Sequence, residues 1–123
     1  MIYRLMDLEP LEAKLLLPIF NIAYALIEKA FKNRGESVEP TIASWFTSTS
    51  QILMDSIEID FDCSIDVSDT YYNEIVLIKD MILDTTPYYV EETKKLYIGI
   101  AVKLDKAIQY YNVMKSEGGY QWK

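Results

Sequence analysis

The chain has 123 residues, half of them apolar, and a net charge of −7 at neutral pH. It contains one cysteine and no histidine, which excludes an intrachain disulfide and removes the commonest zinc ligand and general base. These features predict one domain spanning 1–123, in a reducing, cytoplasmic setting, which is the host cytoplasm if the chain is phage-encoded.

Charge is strongly segregated along the chain. Between Arg34 and Lys94 there are thirteen acidic residues and one basic residue, Lys79, whereas the first 34 residues sum to +1 and the last 30 to +4. An acidic block of this kind is solvated, holds cations or faces a basic partner.

The first half of the chain predicts two helices. Pro10 is expected to start a helix that runs to about Asn33, with Pro18 kinking or restarting it. Its apolar positions at helical spacing are Leu11, Leu15, Ile19, Ile22, Leu26, Ala30 and Phe31. The stretch 15–27 is too short to span a membrane and indicates a buried helix rather than a membrane span or signal peptide.

A second helix is expected to open at Pro40. Its apolar stripe comprises Ile42, Trp45, Phe46, Thr49, Ile52, Leu53 and either Ser56 or Ile57. Over 57–67 the period then changes, because apolar and polar residues alternate without exception. This alternation predicts an extended segment or minor strand with an acidic outer face, paired with Met1–Met6 or with another subunit.

The second half of the chain predicts two further helices and a tail. Ser68 is expected to cap a third helix that Pro87 ends. Its apolar face would be Tyr71, Ile75, Ile78 and Ile82. The fourth helix would bury Tyr97, Ile100, Ala101, Leu104, Ala107, Ile108, Tyr111 and Met114, with Gly99 inside it at a close helix contact, and a short tail at 118–123. Together these patterns predict a mainly α fold, a small bundle of about four helices.

The acidic segment is the candidate partner-binding surface. Carboxylates at every second residue of an extended chain lie about 6.5–7 Å apart, close to the spacing of phosphates along one nucleic-acid strand. Tyrosine and tryptophan are typical of interfaces because they combine a large apolar area with a polar tip. The predicted contacts are Glu58, Asp60, Asp62, Asp66, Asp69, Tyr71, Tyr72 and Trp122.

Metal binding and catalysis have weaker support. Residues 60–66 resemble a calcium loop, but Ile65 replaces the glycine and Tyr71 the bidentate glutamate, so neither a metal nor a cofactor is expected. Cys63 has no histidine to activate it, and Asp62 and Asp66 would raise its pKa. A magnesium-dependent all-α nucleotide hydrolase remains an alternative, with carboxylates at Glu9, Glu12, Asp80 and Asp84.

The sequence therefore predicts a non-enzymatic acidic protein that binds a basic protein partner. The concrete hypothesis is a phage or mobile-element inhibitor that competes with nucleic acid for that partner. Direct nucleic-acid binding is not expected, because the acidic block repels phosphate and the two basic clusters suit dipole compensation or a solvated helix face. These clusters are Lys29, Lys32 and Arg34, and Lys94, Lys95, Lys103 and Lys106. Membrane association is not expected because the stretch 15–27 is too short to span. A purely solvated acidic face, and a structural or virion protein assembled as a homo-oligomer through helical and aromatic surfaces, are left open.

Overall fold

A computed structural model describes residues 5–116, with the side chains of 5–110 and 112. Four α-helices and a two-stranded antiparallel sheet make up this part of the chain, which confirms the predicted mainly α bundle. The order is β1 (Leu5–Leu8), α1 (Pro10–Asn33), α2 (Pro40–Ile59), β2 (Cys63–Asp66), α3 (Tyr72–Thr85) and α4 (Glu91–Ser116). Short 3₁₀ turns at Asp69–Tyr71 and Thr86–Tyr88 flank α3.

Helix α1 has the predicted bounds and runs through Pro18 without interruption. The expected apolar stripe was wrong, however. Of its members only Ile19 is buried, whereas Leu16, Phe20 and Ala23 supply the rest of the inner apolar face with Ala13. Because α1 is apolar nearly all round, helical periodicity alone did not distinguish its inner from its outer face.

The predicted extended segment at 57–67 is confirmed only at its end. Helix α2 continues to Ile59, Asp60 adopts a left-handed conformation with φ 58°, and the strand covers only Cys63–Asp66. The helical stripe continues through buried Leu53 and Ser56, so burial on the 3.6-residue period outweighs the apparent alternation. Ile52 of the same predicted stripe is partly exposed.

The small sheet joins the two ends of the α1–α2 hairpin. Leu5 lies opposite Asp66 and Leu8 opposite Cys63, so β1 is an N-terminal partner strand, as one of the two alternatives predicted. Met6, Leu8 and Ile65 are buried beneath it. Since β1 precedes α1 and β2 follows α2, this pairing places the start of α1 and the end of α2 at the same end of the molecule.

Trp45 of α2 is the centre of an aromatic cluster. Its ring lies 5.1 Å from Phe20 and 4.9 Å from Phe46, and it stacks on Tyr71 at 4.6 Å and 11°. Its Nε1 donates a 2.8 Å hydrogen bond to the backbone oxygen of Asp66. A single buried side chain thus connects α1, α2, β2 and the turn before α3.

Helices α3 and α4 bury the faces that the sequence predicted. The confirmed residues are Ile75, Ile78, Ile82, Tyr97, Ile100, Ala101, Leu104, Ala107 and Ile108. Tyr71 is half-buried. The side chains of Tyr111 and Met114, and the whole of the predicted tail 118–123, lie outside the described residues.

A buried ion pair connects α1 to α4. Glu12, only 7% exposed, accepts hydrogen bonds from the Lys103 ammonium at 2.8 Å and from the backbone N–H of Glu9 at 2.9 Å. Lys103 also donates to the backbone oxygen of Asp7 at 2.9 Å. The buried Glu12 carboxylate is therefore satisfied by hydrogen bonds, as a buried charge requires, while Lys103 stays partly exposed.

Helix α1 is long and apolar enough to cross a membrane by length and composition, and 33% of its most apolar window is buried inside the bundle. A core helix of a globular domain passes the same test, so this property does not by itself indicate a membrane protein.

Replacing Lys103 by Met should lower the free energy of unfolding by about 2–3 kcal/mol, because Glu12 is left charged and buried without its partner. Urea denaturation measures the change. Lys103→Met/Glu12→Gln should recover part of the loss, since Gln still caps the helix. The control is Lys106→Met, an exposed lysine of the same helix. Equal costs for the two lysines would contradict this account of the ion pair.

Gly99→Ala should raise the free energy of unfolding by about 0.5–1 kcal/mol, because alanine favours the helix interior. The expected close helix contact is not found. A Cβ at this position would meet only Glu12 Oε2, at 4.0 Å, an ordinary van der Waals distance. Thermal denaturation tests this, and a lowered melting temperature would show that the position requires glycine.

Candidate protein-binding surface

The end of α2 and the turn that follows it carry a concentration of exposed carboxylates. We call residues 55–62 the acidic tip. Its four acids, Asp55, Glu58, Asp60 and Asp62, are all exposed. Of these, Asp55 accepts a 2.8 Å hydrogen bond from the side chain of Gln51 on the preceding turn.

Ser56 fixes the shape of the acidic tip. Its backbone oxygen accepts the N–H of Asp60, which ends the helix, and also the N–H of Phe61 at 3.3 Å. Its buried hydroxyl donates to the backbone oxygen of Phe61 at 2.5 Å. The left-handed turn at Asp60 is therefore held from beneath by one buried residue, and the side chains beyond it project in a defined direction.

Two large apolar side chains lie exposed among these acids. Ile59 is 60% and Phe61 68% exposed. The alternating pattern had placed both on the inner face of a strand, so sequence reasoning missed them as surface residues. The available signal was Ser56, which continues the helical stripe of α2 and therefore places the following residues in a helix end.

No basic residue of the same region neutralises the acidic tip. The segment 35–78 contains no lysine or arginine. Lys79, the one cation of the acidic block, forms a 2.7 Å ion pair with Asp105 of α4 and is thus engaged elsewhere. The tip also lies at the negative end of the α2 dipole, and the last turn of that helix carries no base.

The other predicted contacts do not share the tip with Glu58, Asp60 and Asp62. Asp66 is half-buried, and its carboxylate accepts hydrogen bonds from the N–H and hydroxyl of Ser68, so its main role is to shape the turn before α3. Asp69 lies in that turn, and both Tyr71 and Tyr72 are half-buried against the bundle. Trp122 lies outside the described residues.

Asp66 and Tyr71 instead line an open groove along α2. The groove has a volume of about 520 Å³, and hydroxyl groups of Thr41, Ser44 and Ser48 contribute to its wall. It contains no basic side chain. The eight predicted residues are therefore divided between at least two surfaces, and the continuous row of carboxylates expected at every second position is not formed, because 57–59 is helical.

The residues considered for catalysis and metal binding have structural roles or stand apart. Glu12 is engaged by Lys103 and by the start of α1. Among residues 5–116, no three His, Cys, Asp or Glu side chains are grouped closely enough to hold a metal ion. Burial raises the pKa of the Cys63 thiol, a hydrogen bond with Ser56 lowers it by less, and the charges of Asp62, Asp7 and Glu12 add smaller increases.

The raised pKa predicts that the Cys63 thiol reacts slowly with alkylating reagents. Cys63 in the folded protein should react with iodoacetamide at pH 8 more slowly than in the urea-unfolded chain, because less of it is thiolate. Asp62→Asn should speed the reaction modestly by removing one neighbouring charge, whereas Asp80→Asn on the exposed side of α3 should not. Equal reaction rates for native and unfolded protein would show that folding does not raise the pKa of the thiol.

Comparisons with known proteins do not bear on this site. No family model, curated protein or solved structure matches this chain. What the described residues provide is a turn held by hydrogen bonds, two exposed apolar side chains and four carboxylates without a basic neighbour in sequence. The chemistry of that arrangement suits the binding of a positively charged surface with an apolar pocket.

Proposed function

We propose that this protein binds a basic protein partner through the acidic tip and acts by covering the partner's cationic surface. The observation that carries the proposal is the exposure of Phe61 between Asp60 and Asp62, on a turn fixed by Ser56. This arrangement presents an exposed apolar anchor with an exposed carboxylate on either side of it in sequence. No catalytic step is part of the proposal.

Electrostatics support the choice of a basic partner. The acids of the tip have no lysine or arginine between 35 and 78 to compensate them, and the α2 dipole adds to the negative potential. A surface of one sign accelerates encounter with a partner of the opposite sign and repels one of the same sign. Nucleic acid is therefore disfavoured as a direct ligand.

Phe61 supplies the affinity that exposed charges alone do not. Exposed ion pairs contribute little net free energy, typically about 0–1 kcal/mol each. Transfer of a phenylalanine side chain from water into a pocket contributes about 1.5–3 kcal/mol. We therefore assign association rate and selectivity to the carboxylates, and most of the binding energy to Phe61 with a contribution from Ile59.

The proposed competition with nucleic acid rests on the basic character of the partner's surface. It does not require the carboxylates to reproduce the spacing of phosphates along a nucleic-acid strand. Surfaces rich in Lys and Arg are typical of proteins that handle nucleic acids. A tip seated on such a surface would exclude the nucleic acid sterically and electrostatically. We therefore retain an inhibitory role in the cytoplasm as the concrete form of the proposal, with contacts centred on the tip and not on the full set of eight residues.

The test uses the full chain as immobilised bait for a lysate, followed by elution with a salt gradient and purification of the most strongly retained basic protein. For that protein, Phe61→Ala should raise Kd about 10- to 30-fold. Asp60→Asn/Asp62→Asn should reduce both the association rate and its salt dependence. Asn tolerates the left-handed conformation at position 60, so the turn should persist. A nucleic-acid duplex should displace the wild-type chain.

The matched control removes the same kinds of side chain from another surface. Tyr88 is 87% exposed and lies close in sequence to exposed Glu91 and Glu92. Tyr88→Ala/Glu91→Gln/Glu92→Gln therefore loses one aromatic ring and two charges without touching the tip. The proposal is contradicted if this variant loses binding as much as the tip variants do, or if the tip variants bind like wild type.

A further inference from the structure

The outer face of α1 has no charged side chain between Lys14 and Glu28. Leu11, Ile22 and Leu26 are each about half exposed, at 50%, 52% and 50%. The outward side of a helix on a soluble bundle normally carries polar and charged residues. The composition of this face is therefore typical of an interface.

The exposed apolar residues form one seam. Leu11, Leu15, Pro18, Ile22 and Ala25 follow one another at alternating steps of four and three residues, the spacing of a helix that packs along another helix. All are exposed except Leu15, which is half-buried. The face packed into the bundle, with Leu16, Phe20 and Ala23, lies on the opposite side of α1.

The charged residues that flank the seam would be complementary in charge to the same residues of a second copy. Lys14, Asn21 and Glu28 are spaced by two helical turns and lie along one side of it, all three exposed. Within the described part of the chain, neither Lys14 nor Glu28 takes part in an ion pair. If two copies of α1 run antiparallel about Asn21, Lys14 of each lies beside Glu28 of the other; in a parallel pair the two rows would lie on opposite flanks of the seam and these charges would not pair.

We propose that a second copy of this chain covers the seam, as an antiparallel α1–α1 pair with its twofold axis near Asn21. Pro18 then packs against the partner's Ile22, and Leu15 against the partner's Ala25. The stretch from Lys14 to Glu28 spans about 21 Å of helix, so the interface is at the small end of the range for specific contacts. The dimer is accordingly a weak, concentration-dependent one.

The proposed geometry has a consequence for the acidic tip. The tip lies at the end of the molecule where α1 begins, because β1 and β2 pair there. Antiparallel pairing of α1 places the two tips at opposite ends of the dimer. One particle can then engage two basic partners, or two sites on one partner, and gain avidity from a weak individual contact.

Sedimentation of the full chain at about 10 to 500 µM, a range suited to small interfaces, tests the proposal. Wild type should shift from monomer to dimer. Ile22→Glu should remain monomeric, whereas Ile98→Glu, a change at a similarly exposed residue of α4, should dimerise like wild type. Circular dichroism verifies that both variants are folded.

Charge reversal tests the antiparallel register. Lys14→Glu and Glu28→Lys should each weaken self-association several-fold, because each brings like charges together twice. A mixture of the two should form a heterodimer, since both contacts are then attractive. The double variant Lys14→Glu/Glu28→Lys should dimerise like wild type.

Four results would overturn the proposal. One is a wild-type chain that stays monomeric across the range. Another is charge-reversed variants that fail to restore association when mixed. The third is flotation of the wild-type chain, but not of the Ile22→Glu variant, with phosphatidylcholine–phosphatidylglycerol vesicles. That result would assign the seam to a membrane surface. If removal of 117–123 is required before dimers form, the chain's own terminus covers the seam, and the proposal is equally wrong.

Discussion

The hydrogen bonds of Ser56 determine the shape of the acidic tip. Its backbone oxygen ends α2 by accepting the N–H groups of Asp60 and Phe61, and its buried hydroxyl holds the oxygen of Phe61. Without this closure, nothing would define where the helix stops or in which direction Phe61 projects. The acidic tip, the start of β2 and the position of Cys63 all follow from it.

Two lysines of the bundle form ion pairs away from the acidic tip. Lys103 is used to satisfy buried Glu12, and Lys79 pairs with Asp105. Both contacts stabilise the packing of α4, one against α1 and the other against α3. These two lysines are thus engaged within the bundle, and the acids of the tip have no lysine or arginine between 35 and 78 to compensate them.

Apolar side chains play two roles in this small protein. Those of α1 that face Trp45 form the core, whereas Ile22 and its neighbours on the opposite side remain exposed. Phe61 is exposed in the same way at the tip. Contiguous exposed apolar patches bordered by polar residues are typical of binding surfaces, which is why these two regions are the candidates. The proposed function therefore rests on exposed surfaces rather than on an enclosed site.

The sequence by itself determined the four helices, the limits of α1 and the segregated acidic charge, because proline positions and helical periodicity act over a few neighbouring residues. Only the tertiary structure decided which face of α1 is buried, that 57–59 is helical, and that Asp66 shapes a turn while Phe61 is exposed. Local pattern could not settle these points. Apolar residues occupy both faces of α1, and at 57–67 two periods compete, so the outcome depends on which side chains the rest of the bundle can bury.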